Sequence, residues 1–118
     1  MIVVNSSSVE AVETKDEIVG KGEVMRKSLI DSGDTGGFGV MLVTFNPGAK
    51  LNFHTHTYEQ ILYVTEGKGI VATKDEEKIV TPGTVVYIEP GEAHWHGATE
   101  DSSFAHICMQ KPGIKLAE

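Results

Sequence analysis

Four of the five histidines of the chain stand in two His-x-His pairs, His54 with His56 and His94 with His96. Alternate residues of a β-strand share a face, so each pair placed on a strand would point both imidazoles the same way. Two imidazoles arranged like this can take adjacent positions around one metal ion. A solvated polar face could also explain one such pair. Two pairs, each close to a Pro-Gly turn, favour a metal site.

The elements that must position these histidines are predicted to be strands. After residue 20, no apolar run has the three- and four-residue spacing of a helix. Short β-branched and aromatic runs alternate with Gly, Pro and acidic turns, which predicts a β-sandwich or small barrel in one domain, 1–118. The first 20 residues are expected to form a loop or arm, an edge strand or one helical turn. The predicted strands are 24–30, 38–45, 50–56, 60–65, 69–73, 78–80, 85–88, 95–99 and 103–110.

Both faces of several of these strands carry apolar residues. One face can line the barrel, while the other covers a second sheet or a partner subunit, so we expect a homodimer. On the strand that begins the first half of the barrel, Phe38, Val40 and Leu42 share a face and are predicted to form an apolar pocket wall.

Composition excludes several partners. The chain has 118 residues, a formal net charge of −7 and a single arginine, Arg26, which argues against binding to nucleic acid. No stretch reaches the roughly 18–20 apolar residues that span a bilayer, and the first residues lack the basic region of a signal peptide. Cys108, the single cysteine, cannot form an internal disulfide. We therefore expect a cytoplasmic protein without a nucleic-acid or membrane partner.

Two motifs in the right order resemble those of the cupin superfamily. The first runs "GAKLNFHTHTYEQILYVTEG" from Gly48 to Gly67, and the second runs "GTVVYIEPGEAH" from Gly83 to His94. The resemblance implies a jelly-roll, double-stranded β-helix barrel in which the conserved motifs span about 48–98. It also implies that one divalent metal is bound by the following residues: His54, His56, Gln60 and His94. Gln60 departs from the glutamate that is usual in the family.

At finer grain the chain is similar to the manganese-dependent cupin hydroxynitrile lyases and to cupins associated with carboxymuconolactone decarboxylase proteins. The shared features are Gln60, the run "HWHGAT" and, on the last predicted strand, His106 followed by Gln110. Manganese is the metal that this likeness favours, with Fe, Zn, Ni or Co as alternatives. His106 is the candidate catalytic proton carrier, because an ordinary imidazole pKa near 6.5 suits proton transfer near neutrality. A packed, buried histidine is the alternative.

Three functions remain open. Three imidazoles and an amide leave the charge of a divalent metal uncompensated, which suits a lyase or isomerase that holds an anionic form of a small oxygenated substrate. Reversible cleavage of a cyanohydrin is the most specific version. An Fe(II)-dependent dioxygenase and a non-catalytic small-molecule or metal-binding module are the alternatives.

Overall fold

The computed structural model of the chain describes residues 1–117, which form short β-strands and two 3-10 turns at Ser6–Ser8 and Ser32–Asp34. The strands are β1 (Val12–Glu13), β2 (Val19–Lys21), β3 (Val24–Ile30), β4 (Gly39–Phe45), β5 (Lys50–Leu51), β6 (His54–His56), β7 (Gln60–Gly67), β8 (Gly69–Ala72), β9 (Glu77–Val80), β10 (Val85–Ile88), β11 (Trp95–Ala98), β12 (Phe104–Gln110) and β13 (Ile114–Leu116). Neither turn is long or apolar enough to cross a membrane.

Two antiparallel sheets make the barrel. The larger has the order β1-β3-β4-β12-β7-β10, and the smaller has the order β2-β5-β11-β8-β9. A separate two-stranded ladder joins β6 to β13. The inward side chains of both sheets form one apolar core, whose largest members are Phe45, Phe104 and Leu62. The predicted all-β barrel is confirmed.

The N-terminal segment and one predicted strand differ from the expectations. Within the first 20 residues, β1 and the start of β2 lie at sheet edges, which agrees with the edge-strand alternative. The run predicted as one strand over 50–56 is two strands, because β5 pairs within the smaller sheet whereas β6 pairs with β13 in a separate ladder. Strand β13 was not predicted, since three exposed residues after a Pro-Gly turn give too short a signal.

The predicted pocket wall is wrong in its parity. Phe38 is exposed, and the residues of β4 that line the interior are Met41 and Val43. Both faces of this strand are apolar, so the sequence pattern could not choose between them. The burial of Phe45 at the end of the strand sets which alternate residues point inward. On the outer surface, Tyr63 and Val85 are exposed register partners, and the homodimer stays a prediction.

Gly69 allows β8 to approach the aromatic core closely. A Cβ added at this position would lie within 2.6 Å of three ring atoms of Phe104, which is itself packed on Phe45. We expect Gly69→Ala to lower the free energy of unfolding by about 1–3 kcal/mol, because the ring has no space to move. Gly36→Ala is the matched control, since no atom lies within 4 Å of its added Cβ. Urea unfolding of both variants checks this; equal stability of the two would contradict the close approach.

Candidate metal centre

Backbone pairing brings the two His-x-His motifs together inside the barrel. His54 and His94 exchange both backbone hydrogen bonds, at 2.9 and 3.0 Å, as an isolated antiparallel bridge. His56 leaves β6 on the same face as His54. One ring nitrogen from each of these three histidines lies within 4.8 Å of the others, and all three side chains are buried. This cluster could hold a metal ion.

Two backbone carbonyls fix which ring nitrogen faces the centre of the cluster. The Nδ1–H of His54 donates to the carbonyl of Asn52 at 2.8 Å, and the Nδ1–H of His94 donates to the carbonyl of Glu92 at 2.9 Å. A carbonyl oxygen only accepts, so in the neutral ring each Nε2 is left without a hydrogen. Such a hydrogen bond to Nδ1 is the usual support of a histidine that binds a metal through Nε2.

Gln60 presents its amide oxygen to the same centre. It enters from the first position of β7, and its Oε1 lies 3.1 Å from Nε2 of His94. The amide nitrogen points away and donates to the Sγ of Cys108, at 3.0 Å, and to the Oε1 of Gln110. The two atoms that face each other are therefore both acceptors, with no hydrogen between them.

A cation fits this arrangement of donors. The two facing acceptors are one sign of such a site, and His56 is another. Neither ring nitrogen of His56 has a hydrogen-bond partner within residues 1–117, although both atoms are buried. Buried polar atoms without partners cost free energy, and a metal ion that accepts their lone pairs removes that cost. The donor set of imidazole nitrogens and an amide oxygen suits a divalent transition metal, and it contains no carboxylate.

Burial keeps the histidines of the cluster neutral. It lowers the pKa of His54 to about 3 and that of His56 to about 4, and it also lowers the pKa of His94. Neighbouring imidazoles add to the effect at His54, since two positive rings so close together would repel. Neutral rings have the lone pairs that a metal requires.

A cavity of about 280 Å³ opens beside the cluster. Its apolar walls include Ile18, Met41, Val43 and Leu51, and its polar lining includes the following residues: His54, His56, Gln60 and His106. This volume is just below the range of roughly 300–1,000 Å³ that is typical of ligand pockets. The cavity therefore suits a small molecule placed next to the candidate metal centre.

His106 lies in the cavity wall and is paired with His96. The two rings are joined by a hydrogen bond of 3.0 Å between Nε2 of His106 and Nδ1 of His96, and both side chains are buried. Burial lowers the pKa of His106 to about 4, so the expectation of an ordinary value near 6.5 is wrong. Cys108 is also buried, and burial raises the pKa of its thiol to about 11, which agrees with a small packed side chain and not with a reactive thiolate.

Several residues of the cavity were not predicted from the sequence, and the polar ones among them are Thr14, Asp16 and Arg26. Arg26 and Thr14 both line the cavity, and Arg26 had entered only as a count of positive charge. A signal was present, because Arg26 is two residues after Val24 on the same strand and so shares its face. That face is inward, since Val24 is buried in the core.

The lowered pKa values predict that acid destabilises the metal-free protein. Above pH 6.5 the histidines are mostly neutral in the folded and in the unfolded state. Between pH 6.5 and about 4, His56 and His106 become protonated in the unfolded chain but stay neutral in the folded protein. The free energy of unfolding should therefore fall by roughly 2 kcal/mol or more between pH 7.5 and pH 5. Urea unfolding in the presence of a chelator measures it, and His106→Gln should flatten the curve by removing one such group. A stability independent of pH over this range would contradict the burial of neutral rings.

Comparison with known proteins places the chain in a family. The family model described as "Cupin domain" matches residues 41–109, which is more than half of the chain. The (R)-mandelonitrile lyase of Granulicella tundricola is 43% identical over 72 residues, covering 58% of this chain and 53% of that protein. The chain thus spans about half the length of this curated relative.

Solved structures agree with this assignment. A cupin-like protein of Thermotoga maritima superposes with a TM-score of 0.84 at 31% identity, over 89% of this chain and 83% of that one. The polyketide cyclase RemF of Streptomyces resistomycificus superposes with a TM-score of 0.86 at 21% identity, over 100% of this chain and 86% of that one, which shows a shared fold. The chain belongs to the cupin family.

Proposed function

We propose that this cupin is a metal-dependent lyase or isomerase that acts on a small oxygenated molecule, with reversible cleavage of a cyanohydrin as the most specific version. Its metal is proposed to be one divalent ion, manganese before iron, zinc, nickel or cobalt, held by His54, His56, Gln60 and His94. The observation that carries the proposal is the pair of facing acceptors, Oε1 of Gln60 and Nε2 of His94, beside an open cavity. When bound, the metal supplies a Lewis acid that stabilises negative charge on an oxygen or on a departing anion.

The protein's own donors keep that charge high. The three imidazoles are neutral because burial lowers their pKa values, and Gln60 contributes an amide where an acid would subtract one unit of charge. The apolar walls formed by Met41, Val43 and Leu51 exclude water from one side of the cavity. Electrostatic stabilisation of a negative transition state is worth more in such a site than in bulk water.

His106 is the proposed proton carrier. At pH 7 it is unprotonated because burial lowers its pKa to about 4, and a negative charge that develops on the substrate beside it would raise that pKa as the hydroxyl proton moves. Its hydrogen bond to Nδ1 of His96 means that one proton is shared between two neutral rings, which leaves one of the two outer nitrogens, Nδ1 of His106 or Nε2 of His96, as an acceptor. Both of these outer nitrogens lack other hydrogen-bond partners in the described part of the chain. A proton taken up by His106 can therefore be shared along the pair.

The lyase class is supported by the similarity to a mandelonitrile lyase. That similarity covers about half of the length of the relative. The experiment that tests the lyase class compares the manganese- and iron-loaded proteins with (R)-mandelonitrile as the probe. Release of benzaldehyde without consumption of dioxygen supports the proposal. Consumption of dioxygen by the iron-loaded protein supports the dioxygenase instead, and tight metal binding without any turnover supports a binding module.

Gln110 is expected to hold the Gln60 amide in the orientation that the metal needs. Its Oε1 accepts from the amide nitrogen of Gln60 and from the thiol of Cys108, at 3.0 Å for the latter. Gln110→Leu should weaken metal affinity roughly 10- to 100-fold, because the amide oxygen is no longer aimed. Gln110→Glu keeps an acceptor and should retain most of the affinity. Competition with a metal indicator measures both constants; an unchanged constant in Gln110→Leu would show that the amide needs no such support.

Replacement of His106 should remove turnover and leave the metal bound. Loss of a general base typically costs about 10²–10⁴-fold in rate, and His106→Gln keeps the side-chain volume beside Phe45 better than alanine does. Metal content and the rate of cyanohydrin cleavage are measured on the same preparation. Loss of metal would make His106 a ligand, and full activity would make it a packed histidine. In the unaltered protein the rate should decline only as the pH falls toward 4, not near neutrality.

A further inference from the structure

The single arginine of the chain is built into the cavity of the candidate metal centre. Arg26 is the register partner of Val43, and Val43 is the register partner of His106, so the three lie in one row across the larger sheet. Neighbouring strands are about 4.8 Å apart, which puts the Cα atoms of Arg26 and His106 roughly 10 Å from each other. Both side chains line the same cavity. A small molecule can therefore reach both of them at once.

The guanidinium of Arg26 is anchored on one side. Its Nη1 donates to the hydroxyl of Thr14 at 2.9 Å and to the carbonyl of Glu13 at 3.3 Å, and both bonds hold it beside β1. No carboxylate within residues 1–117 lies close enough to form an ion pair with it; the ion pairs of this range join lysines to acidic residues. The other N–H groups of the fork are left for a ligand.

The charge around the cavity favours an anion. The histidines that line it are neutral, and within residues 1–117 the carboxylate that lines it is that of Asp16, an exposed residue whose Oδ1 accepts the N–H of Ile18 at 3.0 Å. Water screens an exposed charge strongly, whereas Arg26 is partly buried and its attraction for a bound anion is screened less. The planar fork of arginine matches a carboxylate in two parallel hydrogen bonds.

We propose that Arg26 forms a carboxylate-binding subsite, so that the substrate of this cavity is a small organic acid whose carboxylate pairs with Arg26 while its oxygenated carbon lies at the metal-centre end. The part of this proposal that concerns the oxygenated carbon at the metal centre rests on the proposed function. The subsite itself rests only on the placement of Arg26. A cyanohydrin without a carboxylate would leave the guanidinium unpaired, so the subsite favours a substrate of the proposed reaction that also carries a carboxylate.

The test uses two probes of nearly equal size, mandelate and mandelamide, which differ in charge. Their binding to the manganese-loaded full chain is measured by isothermal titration calorimetry. We expect Arg26→Gln to weaken mandelate binding by roughly 10- to 100-fold, because a charge-assisted pair of hydrogen bonds is lost, and to leave mandelamide binding unchanged. Asp16→Asn is the matched control at the mouth and should leave mandelate binding equal or slightly tighter.

Three outcomes would overturn the subsite. Equal mandelate binding by Arg26→Gln and the unaltered protein would mean that the carboxylate binds elsewhere in the cavity. An equal loss for mandelate and mandelamide would mean that Arg26 only holds β1 in place through Thr14 and Glu13. Failure of the unaltered protein to bind mandelate more tightly than mandelamide would remove the charge preference altogether. None of these depends on turnover, so an absent lyase activity with Arg26-dependent binding would reject the proposed reaction and keep the subsite.

Discussion

Two acceptors that face each other inside the barrel are the constraint on which the site depends. Nε2 of His94 and Oε1 of Gln60 are 3.1 Å apart, and neither has a hydrogen to place between them. The carbonyl of Glu92 accepts the only N–H of the His94 ring, and the amide nitrogen of Gln60 is directed to Cys108 and Gln110. Relief by rotation of either group would break the bonds behind it, so a cation at this point is the simplest way to satisfy both atoms.

The same burial that prepares the donors also limits the conditions under which the metal-free protein is stable. An imidazole inside an apolar barrel resists protonation, which suits metal binding but makes His106 a weak base until a negative charge forms beside it. In acid the unfolded chain gains protons that the folded chain cannot hold, and the folded state loses stability. His54, with a pKa of about 3, and His106, with a pKa of about 4, are thus neutral at pH 7. At low pH the same two residues lower the free energy of unfolding.

The alternation of side chains along a strand predicted which residues of the site share a face. It could not predict which of the two faces points inward, because that depends on a neighbouring residue known to be buried. The shared face of His54 and His56 was predictable from strand parity, while the resemblance to cupins implied that these histidines and Gln60 face the interior. The break between β5 and β6 was not predictable, because β5 pairs with β2 and β11 whereas β6 pairs with β13, and only the fold brings these distant segments near. On β4 both faces are apolar, so the pattern allowed the wrong residues as the cavity wall.

The importance of Arg26 is not visible in the composition of the chain. As one positive charge among 17 acidic and 10 basic residues it contributes little to the net charge of −7, which is dominated by exposed carboxylates. The fold makes the charge of Arg26 important inside the cavity, because the metal-binding donors that line the same cavity are uncharged. A divalent metal and Arg26 would then give the cavity two sources of positive potential. Among the residues from 1 to 117 that line it, the water-exposed Asp16 is the one carboxylate that opposes them. Such a cavity holds an anion more tightly than its neutral parent, so it favours the substrate form that remains after His106 has taken the proton.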